Sequence, residues 1–114
     1  MRIAFSLAVV VATILSQQNS AAMQRGAYTQ YGNYKVSCGT LTSSSGLQKD
    51  AYIAWLMGFV SGAGYGYSMG GTTLADTDYR GGAAWIEKYC SEHPLDEIVG
   101  AAIALVKELA ARRR

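Results

Sequence analysis

The chain has 114 residues, 16% charged and 50% hydrophobic, with a formal net charge of +2 at pH 7. That length allows one small domain, and that charge supplies no strong field for nucleic acid. A single histidine and two cysteines fall short of the roughly four ligands a structural zinc site requires.

Arg2 precedes an uncharged apolar run, Ile3 to Leu15, followed by Ser16-Gln17-Gln18-Asn19 and the small residues Ser20-Ala21-Ala22. This is the three-part pattern of a secretory signal, and residues 1–22 are expected to be removed by cleavage after Ala22. The apolar run, about 13 residues, is short of the roughly 20 that span a bilayer. Cleavage would leave residues 23–114 with a formal charge of +1, because Arg2 is the only charge lost.

Cys38 and Cys90 both lie beyond that point. In an exported chain an even cysteine count predicts a disulfide between them. Closing a loop of about 53 residues stabilises by roughly 4 kcal/mol on a chain-entropy model, against a typical net stability of about 5–15 kcal/mol. The pair therefore reads as a structural staple.

Residues 23–36 are rich in Gly, Gln, Tyr and Asn, with Tyr28, Tyr31 and Tyr34 three apart. They show no core-forming period, and a flexible lead-in is expected. Leu41 to Gly46 reads as a turn, with Ser44 or Ser45 placed to cap a helix that begins at Leu47.

From Leu47 to about Met69 the pattern is helical. One face carries Tyr52, Trp55, Phe59 and Ala63, and another carries Ile53, Met57, Val60 and Tyr67. Apolar residues on both sides predict a central helix covered on more than one side. Ala54, Gly58, Gly62, Gly66 and Gly70 recur every fourth residue, and no charge occurs from Ala51 to Ala75. Small residues at that spacing form a groove in which another helix can approach closely. Glycine costs roughly 1 kcal/mol relative to alanine inside a helix, so the half after Gly62 is expected to bend or unwind. The polar and glycine content favours a buried helix in a soluble domain over a membrane span.

Gly70 to Ala75 reads as a loop. Asp76 or Thr77 is placed to cap the next helix, with Asp78 in its first turn. Tyr79, Ala83, Ile86 and Cys90 share one face of that helix, which directs Cys90 inward. A further helix is expected to start with His93 as cap, Pro94 at its first position and Asp96 and Glu97 in its first turn. Leu95, Ile98, Val99, Ala102, Leu105, Val106 and Leu109 give it a wide apolar stripe. No stretch alternates with period two, and the fold class is all-α.

Catalytic signals are weak. Cys90 and His93 stand three apart, but a bridged cysteine is no nucleophile, and His93 is accounted for as a cap. Asp76 and Asp78 are accounted for by capping and the helix dipole. Glu87 and Glu92 fall on different faces, and Ser43, Ser44 and Ser45 lack a histidine partner beyond His93. No phosphate loop, nucleophile elbow or metalloprotease motif occurs. Neither an enzyme nor a cofactor or metal is expected, and Arg112-Arg113-Arg114 reads as a solvated basic tail.

One family pattern is present. Cys38 precedes a helix reading Tyr52-Ile53-Ala54-Trp55-Leu56-Met57-Gly58, and Trp85-Ile86-Glu87-Lys88-Tyr89-Cys90-Ser91-Glu92-His93-Pro94-Leu95 leads into an Ala/Leu-rich last helix. This resembles the small exported HdeA/HdeB-like proteins, over roughly Ser37 to Leu109. The resemblance implies a periplasmic domain of three or four helices, here residues 37–111, with the Cys38–Cys90 bridge. It also implies acid-stress chaperone activity, in which the domain loosens at low pH and exposes apolar surface to unfolding clients. The glycine ladder and the tyrosine-rich lead-in depart from the family pattern. A looser resemblance, through Tyr89 and His93-Pro94, is to periplasmic immunity proteins of the Tai type, which plug a cell-wall amidase toxin.

The expected function is therefore a non-catalytic protein-binding module, with an immunity or inhibitor protein as the alternative. Trp55, Phe59, Tyr65 and Tyr67 are the candidate apolar surface, and Ala54, Gly58, Gly62, Gly66 and Gly70 the candidate helix-packing strip. The expected partner is a protein: a client, a dedicated partner or a second copy in a homodimer. Protonating the eight carboxylates and His93 would take residues 23–114 from +1 to +10, and self-repulsion at that charge favours opening.

Overall fold

A computed structural model describes residues 30–33 and 35–113. The expected signal at 1–22, most of the lead-in, Tyr34 and Arg114 lie outside the described residues. Those described form an all-α domain closed by a disulfide between Cys38 and Cys90, whose Cα atoms are 4.7 Å apart. The helices are α1 (Cys38–Ser43), α2 (Gly46–Met69), α3 (Tyr79–Glu92) and α4 (Ile98–Arg112).

Helix α1 replaces part of the turn expected at Leu41 to Gly46. An isolated six-residue helix does not persist in water, so its support comes from its ends and its packing. Ser37 caps it, accepting from the Thr40 N–H at 3.0 Å. The Cys38 and Gly39 N–H groups donate to the carbonyls of Asp96 (2.7 Å) and Pro94 (2.9 Å). The hydroxyls of Thr42, Ser43 and Ser44 bond back to carbonyls of Gly39 and Thr40, which removes their competition with the helix. Leu41 is completely buried beside Cys38.

The same contacts move the start of the last helix. His93 is the C-cap of α3, its N–H directed to Tyr89 and Cys90 carbonyls, and Glu97, rather than His93, occupies the N-cap of α4. Pro94 and Asp96 hold their carbonyls out for α1, and Ser37 forms an antiparallel bridge with Glu97. Those bonds require a non-helical 94–97 segment. Leu95 therefore leaves the predicted stripe and is 95% exposed. The remaining stripe of α4 is buried as the periodicity predicts, with Ala101 added to it.

Helix α2, with 24 residues, is about 36 Å long at 1.5 Å per residue. Ser45 occupies its N-cap without a side-chain bond. It does not unwind after Gly62. Ser61 and Ser68 hydroxyls bond to carbonyls within the helix, and the following loop folds back along it. Thr72 N–H donates to the Tyr67 carbonyl at 3.1 Å, and Ala75 N–H reaches the Leu109 carbonyl of α4 at 2.9 Å. Leu74 packs at the Gly64 position. Gly70 and Gly71 end the helix, Gly71 at φ +76°, a conformation glycine adopts freely.

Helix α3 is capped by Asp78, whose carboxylate accepts from Gly81 N–H at 2.7 Å, two residues later than Asp76 and one later than Thr77. Gly82, Ile86 and Cys90 form its buried stripe. Gly82 allows close approach to α2, since a Cβ there would lie 2.5 Å from Met57 Cε. The core gathers Cys38, Leu41, Leu56, Ile86, Cys90 and Ile98, all fully buried. Helix α2 packs chiefly on α4, and α1 on α3. Arg112, expected in a solvated tail, is the last residue of α4, and its Nε pairs with Glu108 at 2.7 Å.

Candidate protein-binding surface

Apolar character runs around nearly the whole circumference of α2, whereas α3 and α4 each have a distinct apolar face. A helix apolar all round is ordinarily buried all round. Here only Ile53, Leu56 and Val60 are buried. Tyr52, Trp55, Met57, Phe59 and Ala63 are half-buried against the core, so the expected covering on more than one side holds as far as Ala63 and is lost beyond Gly64. α3 and α4 pack on the first half of α2, and the helix extends three residues beyond Val60 before Gly64 meets Leu74, with no fully buried position after it.

The small-residue strip faces outward. Ala54, Gly58, Gly62, Gly66 and Gly70 are all exposed, and a Cβ added at Gly58, Gly62 or Gly66 would meet nothing within 4 Å. None of the other described helices uses this groove. At the tip Tyr65 is 69% and Met69 is 74% exposed, with Tyr67 also exposed. The charge-free stretch from Ala51 to Ala75 spans both strip and tip. Asp50 bounds it on the N-terminal side, next to Lys49, whose Nζ pairs with Glu87 at 2.8 Å.

Trp55 and Phe59 sit on a different part of the helix, with ring centroids 6.0 Å apart, and both are half-buried. Part of the lead-in folds over Trp55. The Trp55 indole N–H donates to the Tyr31 carbonyl at 2.8 Å. Gly32, at φ +89°, lies so close that a Cβ would stand 2.6 Å from Trp55 Nε1. The candidate aromatic surface is therefore divided: Tyr65 and Tyr67 face solvent, Trp55 lies beneath the Tyr31–Asn33 segment, and Phe59 packs half-buried beside Trp55.

The residues considered for catalysis are not brought together as an acid/base or nucleophilic site. Both cysteines are bridged. His93 stacks on Tyr89 at 4.2 Å, and its Nδ1 lies 2.9 Å from the Tyr89 carbonyl. Tyr89 donates its phenol to Asp96 Oδ2 at 2.7 Å. That hydrogen bond, with burial and the nearby negative charge, raises the phenol pKa above 10.0. Among the described residues no cluster of three or more His, Cys, Asp or Glu side chains could hold a metal. No helix among them is long and apolar enough to cross a membrane.

The sequence reading missed the exposure of Leu47 and Met69, and it missed the ladder Trp85, Tyr89 and His93. The every-fourth-residue spacing of those rings is a visible signal for the ladder. Comparison with family models, curated proteins and solved structures gives no match to this chain.

Proposed function

We propose that this protein is an exported, periplasmic, non-catalytic binding module of the HdeA-like kind, which holds unfolding client proteins on helix α2. The observation that carries this reading is a long helix, uncharged from Ala51 to its end, that buries only Ile53, Leu56 and Val60 and leaves Tyr65, Tyr67 and Met69 in solvent. An exposed apolar patch of that kind marks an interaction site. Acid is the proposed trigger, because charge repulsion loosens the packing while the bridge limits the expansion.

The test is light scattering of an aggregating client at about pH 2–3, where acid-loosened proteins expose apolar surface. Suppressed scattering is expected with the intact chain, and less suppression with Tyr65→Ser/Met69→Ser. Equal scattering with and without the protein removes the chaperone reading.

A second reading, a dedicated partner such as a cell-envelope hydrolase, is favoured by the open groove at Gly58, Gly62 and Gly66. A single protruding partner helix would fit it closely. This reading requires a stoichiometric complex at neutral pH that Gly62→Leu abolishes; promiscuous binding confined to acid argues against it.

A further inference from the structure

Helix α3 carries rings at every fourth position from Trp85. Trp85 and Tyr89 stack at 5.7 Å with planes 16° apart, and Tyr89 and His93 at 4.2 Å with planes 17° apart. The preceding position at the same spacing is Gly81, so the ladder has no ring beside Trp85 at that end. A cleft of about 240 Å³ opens there. Its wall is Trp85, its floor Leu105 and Leu109, and its rim Asp76, Thr77, Glu108 and Arg112.

Residue 81 is held small by the helix cap. Asp78 accepts from the Gly81 N–H, and a Cβ would come within 2.8 Å of Thr77 Oγ1 and 3.1 Å of Asp78 Oδ1. The cleft is thus built into the start of α3. An apolar cavity of about 150 Å³ takes up benzene, so about 240 Å³ accommodates one larger ring.

The chemistry of the lining selects the ring. The half-buried Trp85 indole N–H has no acceptor among the described residues, whereas that of Trp55 is satisfied by Tyr31. Water reaches the Trp85 N–H, so it carries no unmet demand of its own. Asp76 makes no ion pair among the described residues, while Glu108 and Arg112 hold each other at 2.7 Å. The rim therefore offers acceptors and donors with a net negative charge, which disfavours anions. A purely aromatic ring would leave those polar groups unused. A ring with one C–H face and several hydroxyls uses the indole, the apolar floor and the rim together.

We propose that this cleft binds a pyranose unit of a neutral glycan, stacked on Trp85 and hydrogen-bonded to Asp76, with Glu108 and Arg112 as further partners on the rim. Trp85 also borders a cleft of about 150 Å³ with Lys88, Tyr89 and Glu92. The pyranose site is separate from the exposed face of α2 and stands independently of the chaperone reading.

The test is an NMR titration of the full ¹⁵N-labelled chain with maltotriose and with N-acetylchitotriose, and with p-cresol as an apolar-ring control. Saturable shifts at the Trp85 indole and the Gly81 amide are expected with a glycan, with the Trp55 indole unmoved. Trp85→Leu should weaken binding about tenfold, the scale of a lost stack on an aromatic platform. Asp76→Asn, at an exposed position, should also weaken it, and this variant decides the matter where Trp85→Leu fails to fold. Absence of saturable shifts with both glycans up to tens of millimolar overturns the proposal. Tighter binding of p-cresol than of either glycan, or unchanged affinity in Asp76→Asn, overturns it as well.

Discussion

Gly32 lies against Trp55 so closely that its missing side chain is part of the contact: a Cβ there would sit 2.6 Å from the indole nitrogen. The backbone at Gly32 has φ +89°, which a residue with a side chain adopts only at a cost of roughly 1–2 kcal/mol. Gly32→Ala is therefore expected to lift the Tyr31–Asn33 segment and break the bond from Trp55 to Tyr31. In a Trp85→Phe background Trp55 is the sole indole. Its emission should then shift to the red and become more accessible to iodide, while the helix content is retained. An unchanged spectrum would show that the segment does not shield Trp55. On the proposed function, the same substitution should improve client retention.

The bridge should hold more than the two sulfur atoms. Cys38 opens α1, a helix too short to stand alone, and Cys90 is on the buried face of α3. Cys38→Ala/Cys90→Ala, chosen to avoid burying hydroxyls, is expected to lose roughly 2–5 kcal/mol in urea denaturation. Amide exchange should accelerate first at residues 37–43. A loss under about 1 kcal/mol, well below the range for native bridges, would mean that the hydrogen bonds to Pro94 and Asp96 alone retain α1.

Tyr89 gives the domain an alkaline limit. Its phenol is a donor to Asp96 only while protonated, and its pKa is raised by that bond, by burial and by the Asp96 charge. A group whose folded pKa is raised stabilises fully below its unfolded pKa and loses that contribution as pH rises through the folded value. The effect therefore appears only above about pH 10. Tyr89→Phe should cost about 1 kcal/mol near neutrality, the scale of one partly exposed hydrogen bond. The gap between wild type and variant should narrow as pH rises beyond about 10 and the phenol ionises. A constant gap across that range would show that the phenol contributes by something other than its bond to Asp96, since Tyr89→Phe keeps the ring stacked with Trp85 and His93.

Much of the fold could be read locally, and the exceptions have a common cause. The stripe Ile98 to Leu109 and the inward position of Cys90 follow from helical periodicity alone. His93-Pro94 carries every local mark of a helix start, yet the carbonyls of Pro94 and Asp96 are committed to α1, a partner some 55 residues earlier in the chain whose pull no local rule registers. α1 was hidden for the converse reason: its Ser/Thr-rich sequence resembles a turn, and distant acceptors and Leu41 burial make it a helix. At the candidate site, the spacing of Gly58, Gly62 and Gly66 was legible, but not which side faced out. That depends on how much of α2 the other helices can enclose.

The exposed glycines separate stability from binding. At Gly58, Gly62 and Gly66 an added methyl group meets nothing within 4 Å, and each lies inside a helix. Replacing glycine by alanine there should raise stability by roughly 0.5–1 kcal/mol per site, read as a higher urea midpoint with an unchanged slope. The gain arises from the lower backbone entropy of the unfolded chain and needs no new contact. Gly62→Leu should also fold, because the same open space receives the larger side chain. If the groove receives a partner helix, Gly62→Leu should block it while the isolated domain is at least as stable as wild type. Loss of stability in Gly62→Ala would instead place part of this protein against the strip and remove it as a surface for a partner.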